Sequence, residues 1–257
     1  MSCPSDDFSQ KIFFEVHNNL PREGPGSVQS TLQAFRSISP DDKQQNILDI
    51  ASGPGVTTIE LARLGHHVTA IDNHEPFIKT LVTRAKEELL SDRINALIGD
   101  MFCLEKFVPQ KAFDIIWSEG AIYIIGFESG LIEWKDFLKN DGYLVCSELS
   151  WLTTGPPNEI HEFWSKNYPG MHSQEENFAI IKKCGYELID SFVLDEKDWW
   201  TEYYEPMEKQ IERLKLKYKE DKEAEDVLRK QQLEIDMYRK YSKTYGYVFY
   251  IMKNINV

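Results

Sequence analysis

The chain has no apolar run near the ~18 residues that a membrane span requires, so no spanning helix is expected. Its first residues, MSCPSDDFSQK, contain neither a basic stretch nor an apolar core and do not read as a secretory leader, so a cytoplasmic protein is expected. Cysteine is scarce. Cys3, Cys103, Cys146 and Cys184 are scattered without metal-ligand spacing, which predicts reduced thiols and no metal site. The six histidines form no H-E-x-x-H-like pattern, and His66 and His67, just before a strand, are expected at the surface. Positive charge is also short: 29 Lys and Arg stand against 42 Asp and Glu, a net charge of −13. A phosphate-backbone partner needs a basic surface, so nucleic acid is not expected and a small-molecule ligand is. Repeats and low-complexity segments are absent as well.

What is present is enough apolar surface for a sizeable core: 42% hydrophobic and 12% aromatic residues in 257. Strand-like runs at Ile47–Ile50, Val68–Asp72, Ile94–Gly99, Phe113–Trp117 and Tyr143–Leu149 alternate with helical stretches at about Val56–Leu64, Pro76–Leu89 and Ser129–Leu138. Such alternation implies parallel pairing with right-handed crossovers. Before it, PREGPGS leads into a helix with Ser27 as N-cap and Val28, Leu32 and Phe35 on one face, followed by the polar linker PDDKQQ, residues 40–45. After Leu149, the Gly155-Pro156-Pro157 stretch is expected to break any regular element. A helix at about Gln174–Cys184 and a strand at Tyr186–Leu194 follow. Asp195–Lys243 is charged and helical in pattern, and a last strand runs over Tyr245–Asn254. The organisation predicted is a single domain over 1–257, with an N-terminal cap (1–45), a ligand-binding core (46–150) and a helical lid insertion (195–243).

The core opens with NILDIASGPGVTTIELARLGHHVTAID, residues Asn46 to Asp72. Asp49 ends a buried strand, and the turn Ala51-Ser52-Gly53-Pro54-Gly55 feeds a helix N-terminus. Glycine permits positive φ and lets a ligand approach the backbone, and the free N–H groups of the helix favour an anionic group. Asp72 ends the next strand, 19 residues after Gly53, where a carboxylate can accept from two ribose hydroxyls. The unit suits an adenosine-type ligand. A nicotinamide fingerprint would need G-x-G-x-x-G, and here the third glycine is replaced by Thr58.

Four segments in order, LDIASGPG, AID at Ala70–Asp72, IGDM at Ile98–Met101 and DIIWSEGAIY at Asp114–Tyr123, give the chain a specific resemblance. It resembles class I S-adenosylmethionine-dependent methyltransferases, within them the ubiquinone/menaquinone C-methyltransferase-like group. EGPGS, WSEGAIY and YGYVFYI make it similar to a bacterial branch of that group. The resemblance implies a Rossmann-like α/β fold: a seven-stranded, mostly parallel sheet with flanking helices, an antiparallel last strand and a helical lid. It also implies S-adenosyl-L-methionine as cofactor and S-adenosyl-L-homocysteine as product. Carried over residue by residue, Asp49, Ala51, Ser52, Gly53 and Gly55 border the methionine part, and Asp72 with Asn73 the ribose. Asp100 and Met101 take the adenine, and Ser118, Glu119 and Gly120 lie near the reacting methyl. One departure is Ala51, where the family usually has glycine.

The cofactor carries a sulfonium, a carboxylate and an ammonium but no phosphate, and the turn accordingly has no lysine. Methyl transfer needs donor and acceptor held in line, with a base only for a protonated acceptor. Glu119 and Tyr123, at the C-terminal edge of the sheet, are the candidate catalytic residues, and Glu148 and Trp151 are expected to open the same crevice. Trp199, Trp200, Tyr203 and Tyr204 either wall a pocket for a cationic acceptor or form the apolar base of the lid. Phe13, Phe14 and the GPGS loop are expected to close over the cofactor from the other side. The function expected is methyl transfer to a small-molecule acceptor. The alternatives are a non-catalytic S-adenosylmethionine-binding regulator and an NAD-type oxidoreductase.

Overall fold

A computed structural model describes residues 4–17, 20–38 and 43–255. Seven strands form one sheet: β1 (Asn46–Ile50), β2 (His67–Asp72), β3 (Ile94–Ile98), β4 (Phe113–Glu119), β5 (Leu138–Trp151), β6 (Tyr186–Val193) and β7 (Tyr245–Asn254). Their order is β3-β2-β1-β4-β5-β7-β6. The first five strands pair in parallel, and β7 lies antiparallel between β5 and β6. This is the Rossmann-like, mostly parallel seven-stranded sheet that the motifs imply.

The apolar runs explain the layering. Ile47, Leu48 and Ile50 are fully buried, so β1 needs cover on both faces. One face packs a cluster that includes Ile47, Trp117, Val145 and Phe249; the other holds Leu48, Ile116, Leu144 and Tyr250. The chain leaves β1 toward β2 and β3, then returns to place β4 on the other side of β1. Ligands bind open parallel sheets where the order reverses, beyond the C-terminal strand ends. That point here lies between the β1 turn and Glu119.

The helices, in chain order, are α1 (Pro4–His17), α2 (Val28–Ser37), α3 (Val56–Arg63), α4 (Glu75–Glu87), α5 (Phe127–Trp134), α6 (Asn158–Asn167), α7 (Gln174–Lys183), α8 (Glu196–Trp199), α9 (Glu205–Lys217) and α10 (Lys222–Tyr241). Ser27 caps α2 as predicted. The buried face of α2 is displaced from the expected one, however: Ser30, Thr31, Ala34 and Phe35 are buried, whereas Val28 and Leu32 are half-exposed. Thr31 turns inward because its hydroxyl has a partner there, Glu119. Residues 40–42 of the polar linker, and Cys3, lie outside the described residues.

One further expectation is met and one is corrected. The Gly155–Pro157 stretch lies, as expected, in the irregular segment between β5 and α6, with Pro157 as the N-cap of α6. His66 is buried rather than at the surface; its Nδ1 accepts from the Gln45 N–H at 3.2 Å and its ring packs on Phe35. His67 is exposed.

The charged insertion contains α8, a π turn at Trp200–Tyr204, α9 and α10. Its aromatics form an apolar base. Trp199 stacks on Tyr238 with centroids 4.0 Å apart, and Tyr204 is fully buried. The N-terminal helix joins this layer: the Glu15 carboxylate accepts from Lys217 at 2.7 Å and from Tyr218 at 3.0 Å. The two segments expected to act from opposite sides therefore make one continuous cap over the strand ends. Among the described residues no helix is long and apolar enough to cross a membrane.

Candidate active site

The turn after β1 turns sharply. Ala51, Gly53 and Gly55 all have positive φ, of 58°, 54° and 85°. Glycine adopts this left-handed region freely, whereas alanine pays roughly 1–2 kcal/mol there. The Ser52 N–H donates to the Ile71 carbonyl at 3.1 Å and the Gly53 N–H to Asp72 Oδ2 at 2.8 Å. Asp72 Oδ1 accepts from the His74 N–H at 2.8 Å. The carboxylate is thus fixed by two backbone donors. Burial pushes its pKa up from 3.8, and those two N–H groups oppose the rise. A carboxylate offers about four lone-pair sites, so two remain for a ligand.

Asp49 is buried at the foot of the turn and accepts from the Thr58 hydroxyl at 2.5 Å. Burial pushes its pKa up to about 7, with Glu119 and Asp72 adding to the rise and Thr58 and Arg22 opposing it. Asp100 caps the turn after β3, its Oδ1 accepting from the Phe102 N–H at 3.0 Å. Asp49, Ala51, Ser52, Gly53, Asp72, Asn73, Asp100, Met101, Glu119, Gly120 and Tyr123 all border one cleft of about 890 Å³.

Gly55 does not line the cleft. A Cβ there would come within 2.3 Å of Leu81 Cδ1, so this glycine serves the packing of α3 against α4. Ser118 does not reach the cleft either, contrary to expectation. It is fully buried and its hydroxyl donates to the Ile50 carbonyl at 3.0 Å, tying β4 to β1. Glu148 and Trp151, expected to open the crevice, are likewise outside the cleft: Glu148 is buried behind Tyr168, and Trp151 stacks on His161. Of the lid aromatics, Trp199 and Tyr203 border the cleft, whereas Trp200 and Tyr204 pack in the base.

Glu119, at the cleft wall, is engaged through both carboxylate oxygens. It accepts from Arg22 Nη2 at 2.5 Å, from the Thr31 hydroxyl at 2.8 Å and from Trp117 Nε1 at 2.9 Å. Arg22 is the residue the motifs miss. It sits in the Pro/Gly-rich loop between α1 and α2, where one arginine carries no pattern. Its Nη2 also donates to the Thr57 hydroxyl at 3.2 Å, and its Nη1 is buried without a partner at the cleft wall. The Ser52 hydroxyl is unpartnered in the same way.

The cap completes the enclosure. The Phe14 ring stacks on His74, two residues after Asp72, with centroids 4.2 Å apart and planes 8° apart. His17 reaches Glu23 at 3.3 Å and Gln231 at 3.3 Å. The Gly26 N–H donates to the Asp198 carbonyl at 3.0 Å, tying the Arg22 loop to α8. Helix α6 supplies Phe163 and Trp164 to the far wall. Its only sequence signal was the Pro-Asn-Glu start, an N-terminal signature hidden among breakers.

Residues 41–211 match the methyltransferase domain family. A segment of 105 residues is 28% identical to the ubiquinone biosynthesis O-methyltransferase of Maricaulis maris (strain MCS10) and spans 40% of each chain. The fold is similar to that of a SAM-dependent methyltransferase from Geobacter sulfurreducens in complex with S-adenosyl-L-homocysteine, with a TM-score of 0.79 and 19% identity over 94% of this chain and 97% of that one. It is also similar to a SAM-dependent methyltransferase from Thiobacillus denitrificans in complex with the same compound, with a TM-score of 0.80 and 19% identity over 98% and 99% of the two chains. The chain belongs to the methyltransferase domain family and has the class I S-adenosylmethionine-dependent methyltransferase fold.

Proposed function

We propose that the chain is a methyltransferase that transfers the methyl group of S-adenosylmethionine to a small-molecule acceptor bound in the same cleft. The observation that carries the reading is Asp72, held by the Gly53 and His74 N–H groups with lone pairs left over at the switch point of the sheet. Those lone pairs suit the two ribose hydroxyls. Arg22 Nη1, buried and unpartnered, suits the ligand's carboxylate, and the Asp49 carboxyl suits its ammonium. Asp100 Oδ2 would accept from the adenine amino group, with Met101 beside the ring. The turn has no lysine, in keeping with a ligand that has no phosphate.

When bound, S-adenosylmethionine supplies an electrophilic methyl on a positive sulfur. The chain's contribution is placement and exclusion of water. Glu119 holds Arg22, and through Arg22 the loop 22–27, against the core. The Phe14–His74 stack covers the ribose side. Tyr123, 42% exposed and facing the cleft, is the side chain placed to meet an acceptor. Residues 46–150 act as the cofactor-binding core, with 1–45 and 195–243 as its cap, within one domain. Calorimetry is expected to show binding of S-adenosylhomocysteine and none of NAD, and labelled methyl is expected to pass from the cofactor into a metabolite pool. NAD binding without a response to S-adenosylhomocysteine overturns the assignment.

A further inference from the structure

The cap brings to the cleft a group of titratable side chains that cofactor binding leaves unused. Helix α1 runs along the cleft from the ribose side, where Phe14 covers His74. His17 follows three residues later, one helical turn or about 4.5 Å further along the axis. It is buried and lines the cleft, with Nδ1 3.3 Å from Glu23 Oε2 and Nε2 3.3 Å from Gln231 Oε1. Glu23 in turn rests on the glycine turn: its Cγ stands 3.5 Å from the position that a Cβ on Gly53 would take. Gly53 is also the residue whose N–H holds Asp72. The His17–Glu23 pair therefore covers the join between the ribose end of the site, at Asp72, and the methionine end, at Asp49 and Arg22. In S-adenosylmethionine that join is the sulfur bearing the methyl group.

The ring is fixed by its neighbours. Phe13 stacks on it with centroids 4.3 Å apart, and the Tyr203 ring stands 6.1 Å away. A carboxylate only accepts hydrogen bonds, so Glu23 makes Nδ1 the protonated nitrogen and leaves the lone pair of the neutral ring on Nε2. A primary amide has a donor end and an acceptor end, so Gln231 can serve Nε2 before and after it takes a proton. Here its oxygen faces Nε2, the end that receives an N–H. Glu234, three residues along α10, adds a second carboxyl to this wall, with Oε1 accepting from the Tyr204 hydroxyl at 3.1 Å. The Arg22 guanidinium on the same wall is committed through Nη2 to Glu119 and Thr57. His74, also at the cleft, is taken up by its stack on Phe14. A lone pair on one ring nitrogen and an orienting carboxylate on the other are the arrangement of general-base catalysis.

We propose that His17 is the general base of the methyl transfer, oriented by Glu23, and that the acceptor atom therefore arrives carrying a proton, as a hydroxyl or an ammonium. This rests on the reading of the cleft as a methyl-transfer site. His17 Nε2 takes the proton from the acceptor's O–H or N–H bond. The electron pair of that bond stays on the acceptor atom and forms the new bond to the methyl carbon. The carbon–sulfur bond breaks with its pair left on sulfur, so the positive charge that sulfur loses is matched by the one the imidazole gains. Glu23 and Gln231 receive the two N–H groups of the charged ring until its proton leaves to water. An acceptor methylated at a thioether or at an unprotonated nitrogen would have no use for this pair.

Nitrogen NMR of histidine-labelled protein saturated with S-adenosylhomocysteine tests the geometry without any acceptor. The neutral His17 ring is expected to carry its proton on Nδ1, and Glu23→Leu is expected to shift that proton toward Nε2. Labelled methyl passed from S-adenosylmethionine into a metabolite pool tests the chemistry. His17→Gln keeps hydrogen-bonding groups but is no base, and transfer is expected to fall about 100-fold or more. Its S-adenosylhomocysteine affinity is expected to stay unchanged, which also reports that the variant folds. In His17→Ala, imidazole added to the buffer is expected to restore transfer in proportion to its concentration, which a ring with only a structural role would not allow. A proton on Nε2 of the neutral ring, transfer by His17→Gln at the parent's rate, or a loss in His17→Ala that imidazole does not restore overturns the proposal and leaves the methyltransferase reading standing. Absence of S-adenosylhomocysteine binding to the parent protein, or of labelled product from it, defeats that reading and the proposal with it.

Discussion

Arg22 Nη2 and Glu119 Oε2 lie 2.5 Å apart, with side-chain exposures of 7% and 9%. This buried pair joins the loop between α1 and α2 to the end of β4, across the mouth of the cofactor region. Truncating one partner of a buried pair strands the other charge at a cost of roughly 3–5 kcal/mol. Arg22→Ala is expected to lose stability on that scale and to weaken S-adenosylhomocysteine binding at least tenfold. The double variant Arg22→Met/Glu119→Gln removes both charges, so denaturant unfolding should recover much of the loss while the binding defect persists. Recovery of both in the double variant would show that Arg22 acts on the fold alone.

Asp72 is tied to the turn by the Gly53 and His74 N–H groups, and its remaining lone pairs face the cleft. Charge-assisted hydrogen bonds are worth roughly 1.5–3 kcal/mol each. Asp72→Ala is therefore expected to reduce S-adenosylhomocysteine affinity by about tenfold or more, with the secondary structure retained by circular dichroism. An unchanged dissociation constant would remove Asp72 from the ribose site.

The β1 turn makes opposite demands at two positions. Ala51 sits at φ 58° with its Cβ already present, so Ala51→Gly relieves a left-handed alanine. That relief of roughly 1–2 kcal/mol exceeds the glycine's extra chain entropy of about 0.5–1 kcal/mol, so a small net gain in stability is expected. Gly55→Ala does the reverse, because its Cβ would stand 2.3 Å from Leu81 Cδ1 in a backbone at φ 85°. Overpacking of this kind costs about 1–3 kcal/mol beyond the backbone strain. Thermal unfolding checks both signs, and a destabilised Ala51→Gly would mean that the turn relies on the alanine.

These contrasts show what the sequence carries and what it does not. The strands from Asn46 to Glu119 were legible because each is a short apolar run rich in isoleucine or valine, with a glycine or acidic residue at or near its end. Asp49, Asp72 and Asp100 follow from their place at strand ends, which is a property of spacing. Ser118 was misplaced because alternation on β4 decides which side chain faces the cleft, and Ser118 points to the Ile50 carbonyl instead. Arg22, Thr31 and Glu119 meet over separations of 88 and 97 residues, so only the folded chain brings them together. Helix α6 and Glu234 were missed for the same reason: their role depends on where the cap lands, and a charged amphipathic helix does not declare its neighbour.

The buried Glu148 carboxyl also gives stability a pH dependence with a definite sign. Burial pushes its pKa from 4.5 up to about 8, against hydrogen bonds from Tyr168 and the Leu149 backbone. Its titrating neighbours Cys146, Tyr123, Tyr168, Tyr247 and Tyr250 are all pushed upward from their ordinary values, so they stay neutral below that point. Above about pH 4.5 the unfolded chain releases a proton that the folded chain keeps. The stabilising contribution is complete below that pH and is lost as the pH rises toward 8. Glutamine has the shape of the protonated acid and no proton to lose. Glu148→Gln is therefore expected to melt close to the parent protein at pH 5 and above it at pH 8, by about 3 °C or more for a chain of this size. Asp49, shifted in the same direction to about 7, titrates equally in both proteins and cancels from the difference. A gap between the two melting temperatures that is constant from pH 5 to 8, or that favours the parent at pH 8, would mean that Glu148 is ionised in the fold and already holds a cationic partner.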